Sequence, residues 1–196
     1  MNYKERKTQE RIAEHIANLG SEDKNTAYLA ETYLVRYYGR RAFDQLSVAL
    51  QHSNPQVRYR AAWVLGYTHD PRAFDLILPL LEDPDPEVRY DAAIALGILG
   101  DQRSVAPLIA RIHKRDEEHY VDAAAADGLV RLGQLAVPAL LESLSSKDSW
   151  VRICAAYALG SIADPRAIEP LRKQLADPDE GARLAAEESL EVIEAR

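Results

Sequence analysis

Four arginines, Arg58, Arg89, Arg152 and Arg183, stand 31, 63 and 31 residues apart, and the aspartates Asp70, Asp101 and Asp164 mark turns that follow three of them. A row of guanidinium groups can bind anions. The same spacing can instead build an internal ladder, each planar guanidinium taking both oxygens of a turn aspartate from an adjacent unit. Both partners recur with the same spacing, so the ladder is the reading adopted. The stretch His113, Asp116, Glu117, Glu118, His119 and Asp122 offers metal-ligating side chains. His119 and Asp122 are spaced i, i+3 and Glu118 and Asp122 i, i+4, which puts them on shared helix faces. No tight ligand spacing is present, and the stretch reads as a solvated loop. The single cysteine, Cys154, has no base or cation beside it in sequence and reads as a small core filler rather than a reactive thiol. No Ser/His/Asp order, phosphate-binding loop or dinucleotide fingerprint is visible. The expectation is a chain without catalytic residues, metal or cofactor.

The elements that position these residues repeat. Taking a valine or its stand-in as marker, Val57, Val88, Val121, Val151 and Ala182 are separated by 31, 33, 30 and 31 residues. A period in this range is the mark of a repeat array, in which no unit buries its apolar face alone. The second copy shows the pattern best. Asn54 caps a helix with Pro55 at its first position, running to about Gly66. Asp70 and Pro71 then open a second helix carrying Ala73, Leu76, Ile77, Leu80 and Leu81; Asp85-Pro86 and Asp164-Pro165 repeat the cap. The paired alanines Ala61-Ala62, Ala92-Ala93, Ala125-Ala126 and Ala155-Ala156 let neighbouring helices approach closely.

On this register the chain divides into a cap helix over 4–19, repeats over about 21–54, 55–85, 86–117, 118–147 and 148–178, and a polar half-repeat over 179–196. In the first repeat Ala30 keeps one consensus alanine while Glu31 replaces the other. In the fourth, Asp122 replaces the motif arginine and the Asp-Pro-Arg-Ala turn is lost, behind an insertion at Lys114–His119. A single domain is expected.

Lys and Arg number 24 against 31 Asp and Glu, a net charge of −7. That balance speaks against a nucleic-acid partner, which needs a basic face. A lone cysteine suits a reducing compartment. No apolar run long enough to span a bilayer is present and the first ten residues are polar, so the expectation is a cytoplasmic protein with no membrane partner.

The run Val-Arg-x-x-Ala-Ala-x-Ala-Leu-Gly followed by Asp-Pro-Arg-Ala resembles the HEAT-like repeats first named in phycobilisome lyase subunits. Three copies match closely and two loosely. The resemblance implies an all-α fold, an α/α superhelix or HEAT-like solenoid of about five helix pairs with terminal caps. It implies a right-handed coil with the Val-Arg helices lining the concave side. HEAT-repeat deoxyhypusine hydroxylases bind iron through His-Glu dipeptides, and none of His15, His52, His69, His113 or His119 is followed by glutamate.

At 100° per residue, Val57, Ala61, Ala62 and Leu65 share one helix face, and Tyr59, Arg60, Trp63 and Tyr67 fall opposite. The equivalent positions elsewhere include Tyr28, Tyr90, Asp91, Ile94, Ile98, Asp127, Arg131 and Tyr157. Six of the 10 Tyr and 2 Trp occupy this row. Clustered aromatics of this kind mark recognition surfaces. The function expected is a non-catalytic scaffold binding a protein or peptide in an aromatic-rich concave groove, with Ile94 and Ile98 lengthening the patch. Arg60, Asp91, Asp127 and Arg131 mix both signs and suggest a mainly apolar or mildly charged partner. The resemblance suggests an alternative, a phycobilin lyase subunit or tetrapyrrole-handling chaperone.

Overall fold

The computed structural model describes residues 2–114 and 119–195, all in helices and short connections; among them there is no strand. The helices gather into two compact units, Met1–Leu99 and Gly100–Arg196. The first contains α1 (Tyr3–Asn18), α2 (Lys24–Tyr33), α3 (Phe43–Ala49), α4 (Pro55–Gly66), α5 (Ala73–Ile77) and α6 (Pro86–Leu99). The second contains α7 (Val105–Lys114), α8 (His119–Leu132), α9 (Val137–Ser143), α10 (Ser149–Ile162), α11 (Ile168–Gln174) and α12 (Glu180–Glu194). Among the described residues no helix is long and apolar enough to cross a membrane.

Local chemistry sets the helix starts. A side-chain oxygen just ahead of a helix accepts an amide that has no partner in the first turn. Asn54 accepts from the Gln56 amide at 2.8 Å, and Asp85 from Glu87 at 3.0 Å and Val88 at 3.3 Å. Asp148 and Asp179 do the same ahead of α10 and α12. Asp70 and Asp164 cap the second helices through the amides of Arg72 and Arg166. The cap helix α1 begins with a reciprocal box, Asn2 accepting from the Glu5 amide while Glu5 accepts from the Asn2 amide, both at 2.9 Å.

The first helices also end alike. His69, Gly100, Gly133 and Ala163 occupy the same place in their repeats, and all four are left-handed, with φ of 48°, 74°, 58° and 57°. Glycine adopts that conformation without strain and closes helices for this reason.

The second helix of the second repeat is shorter than its apolar pattern suggests. It is α-helical only over Ala73–Ile77 and tightens into a 3-10 turn over Leu78–Glu82. Pro79 has no N–H for the Asp75 carbonyl, which breaks the regular ladder at that turn. The first repeat departs further: α2 runs into a π-helical turn at Leu34–Tyr38, then a 3-10 turn at Gly39–Ala42.

Packing of the first helices depends on small residues. The paired alanines at 61–62, 92–93, 125–126 and 155–156 are all buried. The tightest approach falls at the motif glycine. A Cβ on Gly66 would lie 2.8 Å from the Ala95 carbonyl oxygen, and one on Gly160 would lie 2.6 Å from Ser189 Cβ. Glycine there lets α4 lie against α6 and α10 against α12, while Val57, Leu65, Val88 and Leu96 fill the core beside the contact.

Candidate binding face

The arginine row is internal. Arg58 lays its guanidinium edge on Asp83, Nε to Oδ2 at 2.9 Å and Nη2 to Oδ1 at 2.7 Å. Its Nη1 donates to the carbonyls of His52 and Ser53. Arg152 repeats this on Asp177 at 2.7 and 2.6 Å and on the carbonyls of Ser146 and Lys147. Arg89 and Arg183 donate to the carbonyls of Asp83 and Pro84, and of Asp177 and Pro178. Every motif arginine thus ties down the turn ahead of its own helix.

The ladder pairing differs from the expected one. Asp70, Asp101 and Asp164 do not meet Arg58, Arg89 or Arg152; they bond Arg72, Arg103 and Arg166, two residues on. An aspartate that already accepts the amide of residue i+2 points its second oxygen at that residue's own side chain. The Arg72 and Arg166 guanidinium groups hold the Asp70 and Asp164 carboxyls down to about 2.

Among the described residues no group of three or more His, Cys, Asp or Glu can hold a metal. Asp116, Glu117 and Glu118 lie outside the described residues. Asp122 is fully buried and faces Arg111 at 4.0 Å, with side-chain exposures of 0% and 1%. The Cys154 thiol is buried, and burial foremost pushes its pKa up to about 12, with Asp122 and Asp148 adding to the shift. It therefore has almost no thiolate at neutral pH.

The aromatic row of the first unit remains. Tyr59 and Trp63 on α4, and Tyr67 just past its end, follow at i, i+4, i+8, opposite the buried Val57, Ala61 and Leu65. The Trp63 and Tyr67 rings stand 5.4 Å apart, tilted by 58°. Tyr67 is 40% and Tyr28 67% exposed, while Tyr59, Trp63, Tyr90 and Asp91 are half-buried. Ile94 and Ile98, expected to lengthen the exposed patch, are only 4% and 8% exposed and belong to the core. From Ala92 to Leu99 every residue of α6 is buried, and a helix apolar all round offers no free stripe there.

The charges on this face are not evenly mixed. Arg60 is held by Glu31 at 2.8 Å and by the Leu19 carbonyl at 2.6 Å, with its guanidinium 5.3 Å from the Tyr59 ring centroid. Glu31, the residue that replaces a consensus alanine, is therefore the partner of Arg60. Asp91 is different. Among the described residues no donor bonds its carboxylate and no cation lies within ion-pair distance. Burial foremost, then Glu87 and Glu31, push its pKa up to about 7 against the opposing effect of Arg60. The Tyr59 hydroxyl is shifted up as well, by burial and by the nearby Asp91, Glu31 and Glu87.

In the second unit the Tyr157 hydroxyl donates to Asp127 at 2.9 Å, and Arg131 is exposed. A further aromatic group escaped the sequence reading. His15 stacks on Tyr33 at 5.0 Å, and Tyr38 and Tyr37 stand close by, at the π-helical turn. The density of tyrosines at 33, 37 and 38 was the only available signal for it.

Set against known proteins, residues 43–119 and 110–191 match the model of HEAT repeats. No curated protein matches the sequence. Among solved structures the chain is similar to the complex of CpcE and CpcF of phycocyanin lyase from Nostoc sp. PCC7120. The two are 28% identical over 91% of this chain and 75% of that one, with a TM-score of 0.54. It shares its fold with the archaeal HEAT-like repeats protein from Thermococcus onnurineus NA1, at 14% identity, 94% and 80% coverage and a TM-score of 0.60. It also shares its fold with the karyopherin Kap121p bound to the extreme C-terminus of the protein phosphatase Cdc14p. There the identity is 21%, the coverage 93% of this chain and 23% of that one, and the TM-score 0.58.

Proposed function

The chain belongs to the HEAT-repeat family, and on that premise we propose that it is a non-catalytic binding module that takes a protein or peptide on the aromatic face of its first unit. The observation that carries this reading is the Trp63–Tyr67 ring pair, continued along α4 by Tyr59, with Tyr28, Tyr90 and Asp91 at the equivalent positions of the neighbouring repeats. Stiff aromatic side chains supply contact area at small entropic cost and dominate binding energies where they are buried by a partner. Asp127, Arg131 and Tyr157 form a second, lesser set in the other unit. The location proposed with this reading is the cytoplasm, whose reducing conditions suit a lone buried Cys154.

Affinity capture with the intact chain, its Trp63→Ala variant and its Tyr67→Ala variant tests the reading. A polypeptide retained by the wild type and lost from both folded variants supports it. The same polypeptides on all three contradict it.

A second reading is favoured by the 28% identity with the phycocyanin lyase complex: the face handles an open-chain tetrapyrrole. Adding a free bilin to the purified chain separates the two. A shift in the bilin's visible absorption that Trp63→Ala abolishes favours the pigment; an unchanged spectrum leaves the polypeptide reading.

A further inference from the structure

We propose that the segment held on this face presents an arginine or lysine, its cationic head against the Asp91 carboxylate and its stem along the rings of Tyr59 and Trp63. The inference rests on the binding reading above and narrows its partner to a basic-apolar polypeptide segment.

Glu87 and Glu31 both act on Asp91, all three carboxylates act on the Tyr59 hydroxyl, and Arg60 opposes them at both groups. That arginine is already committed. Its Nε holds Glu31 and its Nη1 the Leu19 carbonyl, which fixes it as a strut between α2, α4 and the end of α1. The face is therefore left with a surplus of negative charge, concentrated on Asp91 and Glu87.

Asp91 decides the sign of the partner. A half-buried carboxylate that accepts no hydrogen bond is costly, because water has been removed and nothing replaces it. An apolar segment laid over Asp91 would seal the group away and raise that cost. An acidic segment would add repulsion. A basic side chain supplies both donors and opposite charge, and its long stem covers apolar surface as its head reaches the carboxylate. Aromatic rings beside such a head attract it further. Arg60 sits over the Tyr59 ring in this manner within the chain itself.

A displayed library of random octapeptides, screened above neutral pH against the intact wild type, Asp91→Asn and Trp63→Ala, tests this. The wild type should select peptides with Arg or Lys at one fixed position beside apolar or aromatic residues. Asp91→Asn should fold as the wild type does and still bind apolar sequences. It should lose the basic position, and individual selected peptides should bind it about tenfold more weakly or worse. Two outcomes overturn the inference and leave the binding reading standing: selection of apolar or acidic peptides without a basic position, or equal affinity of the basic peptides for Asp91→Asn. If the wild type selects nothing, or folded Trp63→Ala selects the same peptides, the binding reading falls and the inference with it.

Discussion

Arg58 and Asp83 are 25 residues apart and meet edge to edge, both nitrogens of the guanidinium edge donating to both carboxylate oxygens. Arg152 and Asp177 repeat the contact at the same separation. In each case the arginine also bonds the turn ahead of its own helix, and the aspartate's carbonyl receives the next motif arginine, Arg89 or Arg183. One aspartate thereby couples two successive first helices. This accounts for the motif arginine without any external anion.

Arg58→Ala should cost about 3 kcal/mol in denaturant unfolding, because it strands a carboxylate whose side chain is only 7% exposed. Arg58→Lys should recover part of this, since an ammonium keeps the charge and loses the two-pronged geometry. Arg72→Ala should cost clearly less, because the Arg72 side chain is itself 64% exposed and water can take its place at the Asp70 carboxylate. Equal losses at Arg58 and Arg72 would contradict the assignment.

The buried pair Arg111–Asp122 makes a sharper case, because Asp122 stands where the other repeats carry the arginine. Asp122→Ala alone should cost on the order of 3–5 kcal/mol. Combining it with Arg111→Leu should restore most of that loss, since a leucine carries no charge into the core. A double-mutant cycle by urea unfolding measures the coupling; additive losses would show that the two charges do not interact.

Ala163 adopts φ of 57° where two other repeats use glycine. Ala163→Gly should raise stability by about 0.5–1 kcal/mol, the relief of left-handed strain outweighing the added freedom of the unfolded chain. A lower melting temperature for the variant would mean that the strain is not there.

Asp91 should make stability fall as pH rises. Its folded pKa of about 7 lies above the ordinary carboxylate value of 3.8. Between those limits the folded chain keeps a proton that the unfolded chain releases, so folding is favoured less at each step upward. Asp91→Asn should therefore melt higher than the wild type above pH 7 and match it near pH 4. A difference of the same size at both ends would place the effect elsewhere.

What could be read from the sequence was local. Cap residues act on amides two or three positions away, small residues recur with the period, and Asn54, Asp70, Asp85 and Asp164 cap as their neighbours dictate. Which aspartate meets Arg58 could not be read, because Asp70, Asp83 and Asp85 all fall in nearby turns and only the packing of separate helices selects among them. Ile94 and Ile98 failed for the same reason: a helical wheel gives a direction, and burial depends on what lies in that direction. Glu31 was visible as a departure from the repeat, yet its meaning needed Arg60 beside it. The π-helical turn at Leu34–Tyr38 had no sequence signal of its own.

The central claim is that α4 presents its aromatic side for binding, and the residue it turns on is Trp63. Calorimetric titration of a captured polypeptide into the wild type and into Trp63→Ala, with a thermal melt of each, tests it directly. Removing the indole should cost about 2 kcal/mol or more in binding with the fold nearly intact. A variant that unfolds, or that binds as tightly as the wild type, would contradict it and make Trp63 a core residue.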